Sequence, residues 1–172
     1  MQARPLSVQI DPDFNIARHP VTHELSPTLA NAFAMKGFNA ILANPDALEA
    51  MQAKSVAQKI IDHDLDWNAM TSRYQADLVF GTTEQMNAYY RTSTGSDFPH
   101  ARSGTARAWV EASQDGRLTL YLSADNMKQA VTQMQYLRYY GSKSYVSFVN
   151  GSGHTHGVLP GQGSALKITL SE

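Results

Sequence analysis

At 172 residues, with 42% apolar and 17% charged side chains, the chain is long enough to bury one sizeable core and too apolar to stay unfolded. A net charge of −1, with Lys and Arg scattered along the chain, gives no broad electrostatic reason to bind nucleic acid or an anionic membrane. The absence of cysteine excludes disulfides, thiolate catalysis and Cys-based zinc sites. Apolar runs are also too short for a membrane-spanning helix, so no membrane insertion is expected.

A single α/β domain over residues 1–172 is expected, with residues 1–25 forming an N-terminal strand and an extended segment. The opening MQARPLSVQ lacks the apolar segment of a signal peptide. Leu6, Val8 and Ile10 then alternate with polar neighbours as in a strand, and Asp11, Pro12 and Asp13 turn the chain. Ser26 followed by Pro27 predicts a helix start, with Ser26 as cap and Pro27 where its missing N–H costs nothing. Leu29, Ala30, Phe33 and Ala34 give that helix a short apolar face, which Gly37 ends. Residues 38–43 read as a short buried strand.

Asn44 and Pro45 start a longer helix reaching about Asp62, with Leu48, Met51, Val56, Ile60 and Ile61 inside. The polar stretch 62–75 tucks Trp67 and Met70 against the body. Residues 76–81, ADLVFG, read as a second buried strand, and Thr82 with Gln85 fits a capping box opening a helix that carries Met86, Tyr89 and Tyr90. Residues 91–104, rich in Thr, Ser, Gly, Asp and Pro, are the candidate for a long mobile loop. Two strands, 106–112 and 117–123, flank the Asp115-Gly116 pair, a strong hairpin signal because such turns need positive φ.

Residues 118–150 read as strand, helix, strand. Leu118, Leu120 and Leu122 alternate with Thr119, Tyr121 and Ser123, and Ser123 or Asp125 can cap a helix of roughly 15 residues. Met127, Ala130, Val131, Met134 and Leu137 recur at spacings of three and four, Gly141 suits a left-handed helix end, and Tyr145, Val146, Phe148 and Val149 form the next strand. That length predicts a right-handed crossover between parallel strands. A Gly-rich turn over 150–156 leads to two short strands, 156–159 and 165–170. The expected architecture is an open mixed sheet, with a mostly parallel core and antiparallel additions, and helices packed on its faces.

Several phrases run in the order of a known pattern. IDPDFNIARHPVTHELSPTL, DLVFGTTEQM, LSADNMKQAVTQMQYLRYYGSKSYVSFVNG and HGVLPG together resemble the non-catalytic C-terminal region found downstream of the catalytic module in some bacterial M1-type (gluzincin) aminopeptidase-like proteins. The resemblance touches about half of the chain. It implies an exported accessory domain, periplasmic or extracellular, whose partner is a peptidase module in the same or another chain. It does not imply peptidase activity. A gluzincin needs two imidazoles at i and i+4 of a His-Glu-x-x-His helix, and the nearest stretch, His23-Glu24-Leu25-Ser26-Pro27, ends on a proline that cannot ligate.

Four groups of residues could carry function. Gly81, Thr82, Thr83, Ser123 and Asp125 lie where strands hand over to helices, the usual ligand crevice of an open α/β sheet, with helix N-termini that attract anions. Ser, Thr and Asp are equally ordinary caps. Tyr136, Arg138, Tyr139 and Tyr140, near Tyr145 and Lys143, could form a partner surface, since Tyr and Arg are favoured at interface hot spots; amphipathic packing competes with that reading. His154 and His156, at i and i+2, could share a metal ion, against a plain solvated turn. Asp62, His63, Asp64 and Asp66 point in different directions at a helix end and do not converge. No G-x-S-x-G elbow, P-loop or dinucleotide motif is present, and no cofactor is expected. The leading expectation is therefore a non-catalytic accessory or interaction domain, the second a small-ligand or anion-binding domain, and the third a metal-dependent enzyme.

Overall fold

The computed structural model describes residues 7–10, 26–45, 50–68, 72–95, 104–113, 115–159 and 166–169. The turn at Asp11, Pro12 and Asp13, the His23-Glu24 pair, Leu48, Met70, the loop residues 96–103 and the outer ends of strand 165–170 lie outside the described residues. Its chain order is β1 (Ser7–Ile10), α1 (Leu29–Phe33), β2 (Gly37–Leu42), α2 (Ala50–Ile60), β3 (Asp64–Asp66), β4 (Ala76–Thr82), α3 (Thr83–Thr94), β5 (Ala106–Ala112), β6 (Leu118–Ala124), α4 (Ala130–Gln133), a 3₁₀ turn (Leu137–Tyr140), β7 (Tyr145–Val149), β8 (Ser152–Gly157) and β9 (Leu166–Thr169). Seven strands form one sheet in the order β3-β2-β4-β6-β5-β7-β8, while β1 and β9 pair antiparallel with each other. This is an α/β fold with an open mixed sheet. Strands β3, β2, β4 and β6 are parallel, and β6, β5, β7 and β8 are joined antiparallel.

Period-2 alternation decides the two faces. On one face Phe38, Leu78, Phe80, Leu120, Leu122, Val110 and Phe148 are buried and pack with Leu29, Val56, Ala57, Met134 and Leu137 from the helices. On the other, Val79, Trp109 and Tyr121 lie beneath Met86 and Tyr90 of α3. Helix α2 thus leaves β2 toward the first face and α3 leaves β4 toward the second. Between those two adjacent parallel strands the chain diverges, which opens a crevice at their carboxyl ends.

Several expectations from the sequence hold. Thr82 accepts from the Gln85 N–H while the Gln85 side chain accepts from the Thr82 N–H, the reciprocal capping box. The Asp115-Gly116 hairpin joins β5 to β6, with Gly116 at φ 82°.

Others need correction. Helix α1 is capped by Thr28, boxed with Asn31, and not by Ser26; the Ser144 hydroxyl donates to the Pro27 carbonyl at 2.5 Å, so Pro27 sits outside the helix. Residues 91–94 belong to α3 and not to a loop. The helix expected after β6 is α4 and a 3₁₀ turn separated by irregular turns, and Gly141 lies at φ −51°, an ordinary right-handed value. The Asn126 side chain accepts from the Lys128 N–H, so neither Ser123 nor Asp125 caps α4. Strands β6 and β7 do run in the same direction, but β5 lies between them and is antiparallel to both. The turn between β7 and β8 contracts to Asn150 at φ 52° and Gly151 at φ 81°, a two-residue hairpin, which places His154 and His156 within β8. Among the described residues no helix is long and apolar enough to cross a membrane.

A polar clamp ties the amino-terminal ends of the parallel strands together. Arg117 grips Asp77 with two donors, Nε to Oδ2 at 2.5 Å and Nη2 to Oδ1 at 2.6 Å, and the buried Asn39 amide donates to the same carboxylate at 2.9 Å. Planar two-point pairing of this kind holds the strands in register as well as neutralising the charge. We expect Asp77→Ala to strip Arg117 of its two-point partner, while the Asn39 amide keeps the Tyr74 and Ala76 carbonyls, and to cost about 2–3 kcal/mol. In thermal denaturation this is a fall in Tm of roughly 4–12 °C at this chain length.

Candidate functional site

Of the five residues expected at the strand-to-helix turns, Gly81, Thr83, Ser123 and Asp125 come together, while Thr82 turns into the crevice between β2 and β4. Gly81 on β4 pairs with Ser123 on β6, and Ser123 pairs with Arg107 on β5, so the three lie side by side across the sheet. Thr83 opens α3 above them and its hydroxyl donates to Asp125 Oδ1 at 2.5 Å. Arg107, which the sequence reading missed, completes the group: its Nη1 donates to Thr83 Oγ1 at 2.7 Å and lies 3.4 Å from Asp125 Oδ1, while Nη2 donates to the Gly104 carbonyl at 2.6 Å. The signal was available, because alternation along β5 places Arg107 on the same face as Trp109 and Glu111.

Charge and packing decide what this cluster can do. The Arg107 side chain is only 8% exposed and faces Asp125, so its charge is neutralised within the protein. Glu84 stands in the first turn of α3. An incoming anion would therefore meet two carboxylates beside a helix end whose cap is already in place. Gly81 is a packing glycine, since a Cβ there would come within 2.7 Å of the Ala43 Cβ. The Ser123 hydroxyl is fully buried and makes no hydrogen bond among the described residues. The group acts chiefly as a staple joining the start of α3 to β5 and to the turn after β6.

Thr82 faces away from that staple into the crevice between β2 and β4. Its walls come from Leu42 and Asn44 beyond β2, Ala53 of α2, Gln85 of α3 and Met127. The enclosed volume is about 10 Å³, about the room that one water needs.

A second titratable group sits deeper on the α3 face. The Glu111 carboxylate accepts from the Tyr90 hydroxyl at 2.8 Å and from the Trp109 indole N–H at 3.3 Å. The Trp109 and Tyr121 rings stack at 4.6 Å, and Tyr90 meets both edge-on. Burial pushes the Glu111 carboxyl above the ordinary carboxylate value, although its two hydrogen bonds pull it partly back. Burial and the neighbouring Glu111 also raise the Tyr90 and Tyr121 hydroxyls.

The aromatic residues expected at a partner surface divide. Tyr139 is 83% exposed and Tyr136 47%, with ring centres 5.8 Å apart. Arg138 is exposed beside them, over the Phe33 ring at 5.9 Å and 3.9 Å from Asp62. Tyr140 departs from the set. It is half-buried, packs edge-on against Phe148 at 5.7 Å, and covers Gly153, where a Cβ would strike its hydroxyl. His156 stands 5.3 Å from the Tyr140 ring. His154 sits at an irregularity in the β7–β8 register, which breaks the simple alternation that would aim both imidazoles at one point. Among the described residues no three His, Asp or Glu side chains are grouped to hold a metal ion. Asp64 and Asp66 belong to β3, where Asp64 accepts from the Tyr74 hydroxyl, while the His63 ring pairs with the Phe33 carbonyl at 3.0 Å.

Comparison with models of protein families, with curated proteins and with solved structures finds no match to this chain.

Glu111 supplies a direct test of the α3 face. Its folded-state pKa is raised, so the folded protein holds the proton more tightly than the unfolded chain does. Stability from the protonated form is therefore present at low pH and lost as pH rises from the ordinary Glu range through the raised value. Glu111→Gln keeps an oxygen for Tyr90 and Trp109 but cannot ionise. We expect its melting temperature to equal or exceed that of the native protein at pH 7 and to vary less between pH 4 and 7. A variant weaker at pH 7 than at pH 4, relative to native, would contradict the assignment.

Proposed function

We propose that the chain is a non-catalytic interaction domain, serving as an accessory module of an exported bacterial peptidase-like protein. The observation that carries the interaction reading is the exposed pair Tyr136 and Tyr139, flanked by Arg138. Ring surface left in water loses about 25 cal/mol for each Å² that a partner could cover, and both residue types recur where interfaces concentrate their binding energy. The accessory and exported parts of the reading rest on the resemblance of several ordered phrases to the region downstream of gluzincin modules. A periplasmic or extracellular location follows from that same resemblance.

Capture on the immobilised protein, with bound proteins identified by mass spectrometry, tests the surface. We expect Tyr136→Glu/Tyr139→Glu to weaken retention of a genuine partner by about tenfold or more, as loss of hot-spot contacts does. If that double variant holds every partner as well as the native chain, the surface is the wrong one.

The crevice between β2 and β4 supports a second reading, a small-ligand domain, because the chain leaves those strands toward opposite faces. Melting curves with nucleotides, phosphosugars and sulfate separate the two, since a ligand bound only by the folded state must raise Tm. The interaction reading expects no rise. A rise abolished by Asn44→Ala would move the function to the crevice.

A further inference from the structure

Charge is distributed unevenly along this nearly neutral chain. From residue 126 to residue 171 it carries Lys128, Arg138, Lys143 and Lys167 and not one Asp or Glu, so the excess of acid lies in the preceding residues. Residues 126–159 of this acid-free stretch gather α4, the 3₁₀ turn, β7 and β8 at one corner of the seven-stranded sheet. Helix α4 and the 3₁₀ turn lie against the β7–β8 hairpin, where Gly151 faces the Thr132 carbonyl and the Gln135 amide, and Gly153 lies under the Tyr140 ring. The solvent side of that corner exposes Lys128, Gln135, Tyr136, Arg138 and Tyr139. Two carboxylates border it: Asp125 pairs with Arg107 and Thr83, and the exposed Asp62, just beyond α2, lies 3.9 Å from Arg138.

We infer that this corner docks an acidic polypeptide segment, with Tyr136 and Tyr139 covered by its backbone and apolar side chains and Lys128, Arg138 and Lys143 facing its carboxylates. The inference rests on the interaction reading above and names the chemistry of its partner. Charge complementarity is what selects that occupant. A surface with exposed tyrosines, and with Lys128, Arg138 and Lys143 set against the single carboxylate of Asp62, repels basic partners and attracts acidic ones. A nucleic acid fits less well, because duplex and single-strand binders neutralise many phosphates along a groove, whereas this corner offers the exposed Lys128 and Arg138, the latter shared with Asp62, and the half-buried Lys143.

The test is an NMR titration of the full-length ¹⁵N-labelled chain with three probes: poly-L-glutamate, poly-L-lysine and a 15-nucleotide oligo-dT. The expected result is that poly-L-glutamate shifts amides of residues 128–143 and 152–158 and no other cluster. Its apparent affinity should weaken with added salt and fall about tenfold in Lys128→Glu/Lys143→Glu. A circular-dichroism melt of that variant matching the native one excludes unfolding as the cause. Shifts of the same amides by poly-L-lysine, or an equal response in the charge-reversed variant, would overturn the acidic-partner inference while leaving the surface as a docking site. Tighter binding of oligo-dT at those amides would overturn it in favour of nucleic acid. No response to any probe also overturns it, and capture with the tyrosine double variant then decides separately whether the docking surface itself stands.

Discussion

Strand β6 is the constraint on which the rest depends. It pairs along its whole length with β4 on one side, parallel, and with β5 on the other, antiparallel. Leu120 and Leu122 are fully buried on one face and Tyr121 is 9% exposed on the other, so neither face can be given up without opening a core. The change of strand direction at β6 divides the sheet. On one side lie parallel strands with helices crossing between them, and on the other the antiparallel strands β5, β7 and β8, ending in the β7–β8 hairpin. The crevice belongs to the first half and the tyrosine corner to the second.

Two polar assemblies bracket this strand and show how the fold handles charge at its centre. At the amino end Arg117 and Asp77 pair through two donors, reinforced by Asn39. At the carboxyl end Arg107 is buried against Thr83, Asp125 and the Gly104 carbonyl. Buried charges persist only when paired and hydrogen-bonded, and both arginines meet that condition. The second assembly explains why the strand-to-helix turns, although they converge as an open α/β sheet leads one to expect, are better built to hold α3 than to hold an anion.

The sequence was most legible where a local signal has one structural meaning. The Thr82 and Gln85 box, the Asp115-Gly116 turn and the alternating leucines of β6 each specify a backbone geometry directly. Residues 126–140 were legible in part. Met127, Ala130, Met134 and Leu137 are buried, as their spacing implies, yet the backbone joining them is a succession of turns, a four-residue helix and a 3₁₀ turn. Spacing of three and four reports which side is covered and does not demand a continuous helix. Val131, Thr132 and three tyrosines have weak helix propensity, and Tyr140 must come down onto Gly153. The order β6-β5-β7 was not readable because it depends on long-range pairing. The Asn150-Gly151 turn was readable as a hairpin, but its signal was diluted by the glycines that follow. Tyr140 shared the pattern of its exposed neighbours, and only the hairpin packed beneath it separates it from Tyr136 and Tyr139.

The placement of every site follows from β5 lying between β6 and β7, and interstrand nuclear Overhauser effects measure that directly. Ala108 on β5 should show backbone contacts to Leu122 of β6 on one side and to Val146 of β7 on the other. Direct backbone contacts between Leu122 and Val146, with Ala108 at an edge, would contradict the account, because the tyrosine corner and the Arg107 staple would then no longer stand where their proposed roles require.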